Sequence, residues 1–278
     1  MRFGFALRTM GAAATAPILR ESARLAEESG LEALWLPDHV AIPPDQTQGS
    51  GGRYLDPLSA LAWLAASTER IALGTAVLIL PYRPALPTAK AVATIQELSG
   101  GRLELGVGVG WMKAEFRALG VDPRARGRLA DETLAFLLEA FGAEDDVVTL
   151  HEQPFVFRPH PARPRIWIGG GAPHALRRAA RFGEGWMPMT SDPEALAEPL
   201  HELRERFAEA GRGAPLVAVF GALGSDSEAV DLERLQALEA LGVTDFIQGA
   251  RYEDLDGFRR ALEPLVERRA AFGSVGQA

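Results

Sequence analysis

Strand-like and helix-like stretches alternate eight times along this 278-residue chain. Strand patterns fall at Arg2–Leu7, Ala33–Leu36, Ile71–Leu80, Leu103–Val109, Arg165–Ile168, Glu184–Met187, Leu216–Phe220 and Thr244–Gln248. Helical periodicity fills the intervals at Thr15–Ser29, Pro57–Ser67, Pro87–Leu98, Arg128–Phe141, Pro173–Phe182, Pro193–Ala210, Ser227–Leu241 and Leu255–Phe272. Strict alternation calls for parallel strands joined by right-handed helical crossovers. Eight repeats at this length fit a closed (β/α)8 TIM barrel, with an open doubly wound sheet as the rival. No break in composition marks a second domain, so residues 1–278 are expected to form one barrel.

Composition narrows the function classes. A net charge of −8 argues against a general nucleic-acid or anionic-membrane partner. The absence of cysteine excludes disulfides, thiolate metal sites and thiol nucleophiles. No window approaches the uncharged apolar run that a membrane span needs, and MRFGFALRTM lacks a signal-peptide core, so a cytoplasmic location is the expectation. The five histidines show no metal-ligand spacing, and neither a G-x-S-x-G elbow nor a P-loop is present.

Active sites of such barrels lie beyond the C-terminal ends of the strands. Two insertions interrupt the pattern, at residues 41–54 after the second strand and 142–163 after the fourth helix. Either could cover a site or be plain surface loop. The second contains a candidate hairpin at Val147–Leu150 and Phe155–Phe157.

Three motifs could carry chemistry. Asp38-His39 ends the second strand, where an imidazole could exchange a proton near neutral pH; the plainer reading is a loop carboxylate and a structural histidine. Gly106, Gly108 and Gly110 alternate along the fourth strand and are followed by Trp111. Their spacing is not a dinucleotide fingerprint. The alternation clears one strand face, either for a flat ring or for packing inside a narrow barrel. Gly169-Gly170-Gly171 joins the fifth strand to a helix beginning near Pro173. Free amides there could hold a phosphate, or the glycines could form a tight turn.

GLEALWLPDHV, RIALGTAVLILPYRP, LSGGRLELGVGVGWMKAEFRALGV and PRIWIGGGAPHALRRAARFGEGW, in this order, resemble the bacterial luciferase-like superfamily. The resemblance implies a (β/α)8 barrel that binds FMN or the deazaflavin coenzyme F420. LPDHV looks more like the F420-dependent oxidoreductase branch than the FMN-dependent monooxygenases, which more often carry an E-H-H-like segment.

By that resemblance Asp38 would hydrogen-bond the deazaflavin ring system or its side-chain hydroxyls. His39 would stand by the substrate as acid or base. Ala76-Val77 matches a place where relatives hold a non-prolyl cis peptide behind the ring. Val109, Gly110 and Trp111 would line the ring pocket, and Gly169, Gly170 and Gly171 would hold the cofactor phosphate.

The sugar-phosphate dehydrogenase branch has G-x-G-E-x-x-N-E where this chain has Trp111 and Ala114, which argues against glucose 6-phosphate. Trp111 suggests an apolar or aromatic small-molecule substrate. The resulting expectation is hydride transfer with F420. The alternatives are an FMN-dependent monooxygenase using O2, a non-catalytic flavin carrier, and a phosphate-binding lyase or isomerase without a redox cofactor. Relatives commonly dimerise, so a homodimer is expected.

Overall fold

A computed structural model describes residues 1–275. Eight parallel strands run around the barrel: β1 (Arg2–Ala6), β2 (Ala33–Leu36), β3 (Ala72–Thr75), β5 (Leu103–Gly108), β8 (Arg165–Gly169), β9 (Gly185–Met187), β10 (Leu216–Gly221) and β11 (Asp245–Gln248). Two pairings close the ring. Gly4 of β1 is in register with Ile247 of β11, and Leu73 of β3 is in register with Leu103 of β5. The expected (β/α)8 barrel is therefore the fold.

The crossover helices are α1 (Ala16–Glu28), α2 (Pro57–Ala65), α3 (Ala85–Leu98), α5 (Arg126–Gly142), α6 (His174–Phe182), α7 (Pro193–Glu209), α8 (Glu228–Ala240) and α9 (Leu255–Val275). Their starts follow local chemistry. In α2, Asp56 accepts a hydrogen bond from Ser59 N at 2.8 Å, and Pro57 occupies the first turn. The main apolar core lies between helices and barrel. A smaller one fills the barrel interior, where Trp35 and Trp167 meet edge to face at 5.9 Å beside Met187, Ala218 and Ile247. Gly74 makes room for Trp35, since a β-carbon there would fall 2.4 Å from its ring.

The structure departs from the sequence pattern in three places. The third strand, read as continuous over Ile71–Leu80, is split: β3 ends at Thr75, and a two-residue β4 (Leu78–Ile79) resumes pairing with β5. A short helix, α4 (Lys113–Ala118), precedes α5 and was not legible as a separate element. The third concerns the 142–163 insertion, which forms the hairpin β6 (Val147–Leu150) and β7 (Gln153–Val156). It follows α5 and leads into β8, so it lies toward the N-terminal ends of the strands. Phe157 packs on Phe141 of α5, and Gln96 at the end of α3 donates to Ala162 O at 2.9 Å. A helix returns the chain to the strand-start edge, so this insertion cannot cover a site at the other end. Among the described residues no helix is long and apolar enough to cross a membrane.

Candidate active site

The split in the third strand shapes the barrel mouth. The Ala76–Val77 peptide is cis, as the resemblance implied, and the bulge it forms pushes Val77 toward β5 and β8. Here the alternating glycines are explained. A β-carbon on Gly106 would fall 2.0 Å from Thr75 O, one on Gly108 2.5 Å from Val77 Cγ2, and one on Gly110 2.8 Å from Ile79 Cγ2. The cleared face of β5 is thus filled by Thr75, Val77 and Ile79, which is the packing alternative, and Gly108 and Gly110 also reach the cavity above. Gly169 serves the same purpose from β8, 2.7 Å from Val77 Cγ1.

Over the bulge lies a cavity of about 480 Å³. Asp38, His39, Ala76, Val77, Val109, Gly110, Trp111, Gly169 and Gly170 all border it, so nine of the ten residues singled out in the sequence converge here. Gly171 does not border it. Ile79, Met187 and Phe220 add apolar wall that the sequence reading did not assign. Trp111 is 65% exposed and Met189 82%, and both stand on the rim. A larger cleft of about 650 Å³ sits at the strand-start face, among Arg2, Arg102, Glu104 and Arg165. That end of such barrels serves stability rather than chemistry.

His39 is held from one side. Its Nδ1 lies 3.0 Å from Glu115 Oε2. Glu115, from α4, is 0% exposed and also accepts from Val40 N at 2.6 Å, Ala41 N at 3.0 Å and Tyr82 Oη at 2.8 Å. Burial opposes ionisation of this carboxyl, but the two backbone amides, Tyr82 and His39 outweigh it and hold it below the ordinary glutamate range. The same burial, with the Glu115 carboxylate beside it, pushes the Tyr82 phenol up. An ionised carboxylate cannot donate, so Nδ1 carries the hydrogen and Nε2 is the free nitrogen. The ring is braced edge-on by Tyr54 at 4.9 Å and Trp111 at 6.2 Å.

Asp38, which borders the same cavity, is also tied into the scaffold of the mouth. Its carboxylate takes a two-pronged contact from Arg83, at 2.6 and 2.9 Å, and a third hydrogen bond from Ile79 N at 2.9 Å. Its side chain has no exposed surface. The carboxylate therefore ties the end of β2 to the restart at β4, with Oδ1 taking one of these three bonds and Oδ2 two.

The glycine loop gives a mixed result. Gly170 sits at φ +126°, which a side chain would strain, and its N–H already donates to Met187 O at 3.1 Å. Gly169 and Gly170 are thus required by packing and backbone. Only Gly171, exposed and with open space at its β-carbon, lacks a structural reason to be glycine.

Glu115, Tyr82 and Arg83 were missed from sequence. Glu115 stands at the final position of the G-x-G-E-x-x-N-E pattern whose other acid is Trp111 here, so a signal for it existed. Tyr82 and Arg83 fall within LPYRP, where nothing local marks them as partners of residues far away in the chain.

A family model described as luciferase-like monooxygenase matches residues 1–275. An uncharacterised protein of Mycobacterium tuberculosis is 30% identical over 268 residues, covering 90% of this chain and 93% of that protein. An F420-dependent glucose-6-phosphate dehydrogenase of Kineococcus radiotolerans is 34% identical over 206 residues, covering 70% of this chain and 59% of that enzyme. The crystal structure of the monooxygenase RslO1 from Streptomyces bottropensis superposes with a TM-score of 0.75 at 22% identity, covering 96% of this chain and 98% of the other.

Proposed function

The chain belongs to the luciferase-like monooxygenase family, and from that premise we propose that it is an oxidoreductase exchanging a hydride between coenzyme F420 and a small organic substrate. The observation that carries this reading is the apolar cavity over the Val77 bulge, edged by a histidine whose outer nitrogen alone is free. The F420-dependent relative and the LPDHV segment favour F420 over FMN.

The residues present suit a flat redox ring. A cavity of about 480 Å³ is ligand-sized. Val77, Ile79, Val109 and Met187 would pack against the ring and exclude water. The backbone around Gly169–Gly171 would hold the cofactor's phosphate, with Gly171 the amide best placed, because Gly170 N–H is already engaged. When bound, F420 supplies the hydride-carrying ring carbon.

The remaining work falls to the chain. His39 Nε2 would give or take the proton that accompanies hydride transfer, since it is the free nitrogen of a braced imidazole at the cavity edge. Glu115 positions that ring and fixes its tautomer. Asp38 and Arg83 hold the bulge on which the cofactor would rest.

Titrating the protein with F420 and with FMN tests the assignment. F420 should bind saturably, and FMN should bind much more weakly. Tight FMN binding with no measurable F420 affinity would reject F420 in favour of the FMN-dependent alternative. His39→Ala should keep cofactor affinity and lower turnover by about 10²–10⁴-fold. Unchanged turnover would remove His39 from the chemistry.

A further inference from the structure

We propose that a second chamber at the barrel mouth is a subsite for the carboxylate of an apolar organic acid, gripped by Arg8 and Arg251. It rests on the hydride-transfer reading only in taking that acid to be the substrate. The chamber holds about 360 Å³. It shares Pro37, Ala76 and Phe220 with the main cavity, so a molecule seated in it reaches the bulge beside His39.

Topology brings the two arginines together. β1 and β11 are neighbours in the barrel, and Arg8 and Arg251 lie just beyond their C-terminal ends. Tyr252, buried next to Arg251, accepts Arg8 N–H at 2.9 Å and so joins the two segments. Arg8 Nη2 donates to Gly49 O at 2.9 Å, while its Nε is buried without a partner.

No carboxylate is among the described residues lining the chamber. Glu253, the nearest acid in sequence, lines the outer cleft beside it, which both arginines also border, and does not line the chamber itself. Arg83, on the opposite side of the mouth, is matched by Asp38 and Asp56, whereas Arg126 and Arg234 are satisfied by Gly110 O and Ser191 Oγ. A guanidinium cannot shed its charge at any working pH, so two of them over a partly enclosed space favour an anion. The rest of the wall is largely apolar, with Leu7, Trp35, Ala76 and Phe220. Two cationic forks at one end of an apolar chamber suit a singly charged, planar carboxylate on an apolar body. Three barrel positions separate β11 from β8, so these arginines stand apart from the Gly169–Gly171 loop assigned to the cofactor phosphate.

Calorimetric titration of the full chain, with and without F420, tests this with benzoate, benzyl alcohol and phenyl phosphate as probes. Benzoate should bind saturably and benzyl alcohol at least about tenfold more weakly. Arg251→Gln and Arg8→Met should each weaken benzoate about tenfold or more, with F420 affinity changed less than about twofold. Arg251 is exposed, so its variant does not depend on how well Arg8→Met folds.

Equal benzoate affinity in wild type and Arg251→Gln would overturn the proposal. So would the absence of saturable benzoate binding, tighter binding of phenyl phosphate than of benzoate, or a loss of F420 affinity in the variants. Arginine-dependent benzoate binding by a protein that does not take up F420 would uphold the subsite and reject the cofactor assignment instead.

Discussion

At the scale of single residues, Glu115 has the most consequences. Its carboxylate receives four hydrogen bonds with no exposure to water, and three of them come from the segment that carries His39. Glutamine cannot accept on both sides: with its oxygen kept on the Val40 and Ala41 amides, Glu115→Gln should turn its NH2 against His39 Nδ1–H and Tyr82 Oη. We expect a loss of about 2–3 kcal/mol in denaturant unfolding. The pH dependence has a definite sign. Because the folded carboxyl titrates below its ordinary value, its contribution is fully present above the unfolded glutamate range near about 4.3 and is lost as pH falls through the folded value. Glu115→Gln should therefore flatten the acid limb of the stability curve. An equally steep limb in the variant would show that other carboxylates dominate. Since Glu115 acts through His39, its substitution should alter the pH profile of turnover and add little to the loss already caused by His39→Ala. Fully additive losses would separate the two.

At the scale of elements, the bulge between β3 and β4 determines what the neighbouring strands can carry. Gly106, Gly108 and Gly169 are small because Thr75 and Val77 stand against them. Gly106→Ala would place a methyl 2.0 Å from a carbonyl oxygen, a contact that only backbone movement can relieve. It should cost about 1–3 kcal/mol or more in chemical denaturation and reduce cofactor affinity, because the cavity floor shifts. Gly171→Ala is the control: its β-carbon meets nothing, so stability should stay within about 0.5 kcal/mol. Comparable losses in the two variants would contradict the steric account. The Asp38–Arg83 contact belongs to the same element, holding the restart at Ile79 to the end of β2.

At the scale of the whole molecule, the closed ring gathers the mouth from strands scattered along the chain. The cavity draws on β2, β3, β5, β8, β9 and β10, and the arginine chamber on β1 and β11. A ligand that binds there links many segments, and its binding energy adds to folding stability. F420 at 100 times its dissociation constant should raise unfolding stability by roughly 2.7 kcal/mol, read as an upward shift in Tm. An absent shift at saturating F420 would argue against cofactor binding by the folded state.

Local chemistry and periodicity were enough to reveal the barrel, the Asp38-His39 mouth, the glycine-rich fourth strand and the loop after β8, because strand alternation, caps and glycines act over a few residues. The cis peptide at Ala76–Val77 came from the resemblance alone. Partnership was beyond the sequence's reach. That Asp38 spends its carboxylate on Arg83, that Glu115 and Tyr82 brace His39, and that the glycines yield to Thr75 and Val77 depends on contacts across 31 or more residues of chain. Such contacts exist only once the ring closes. Closure also decides direction: the hairpin after α5 resembles a lid in one dimension, but the return path of its helix places it at the opposite end of the barrel.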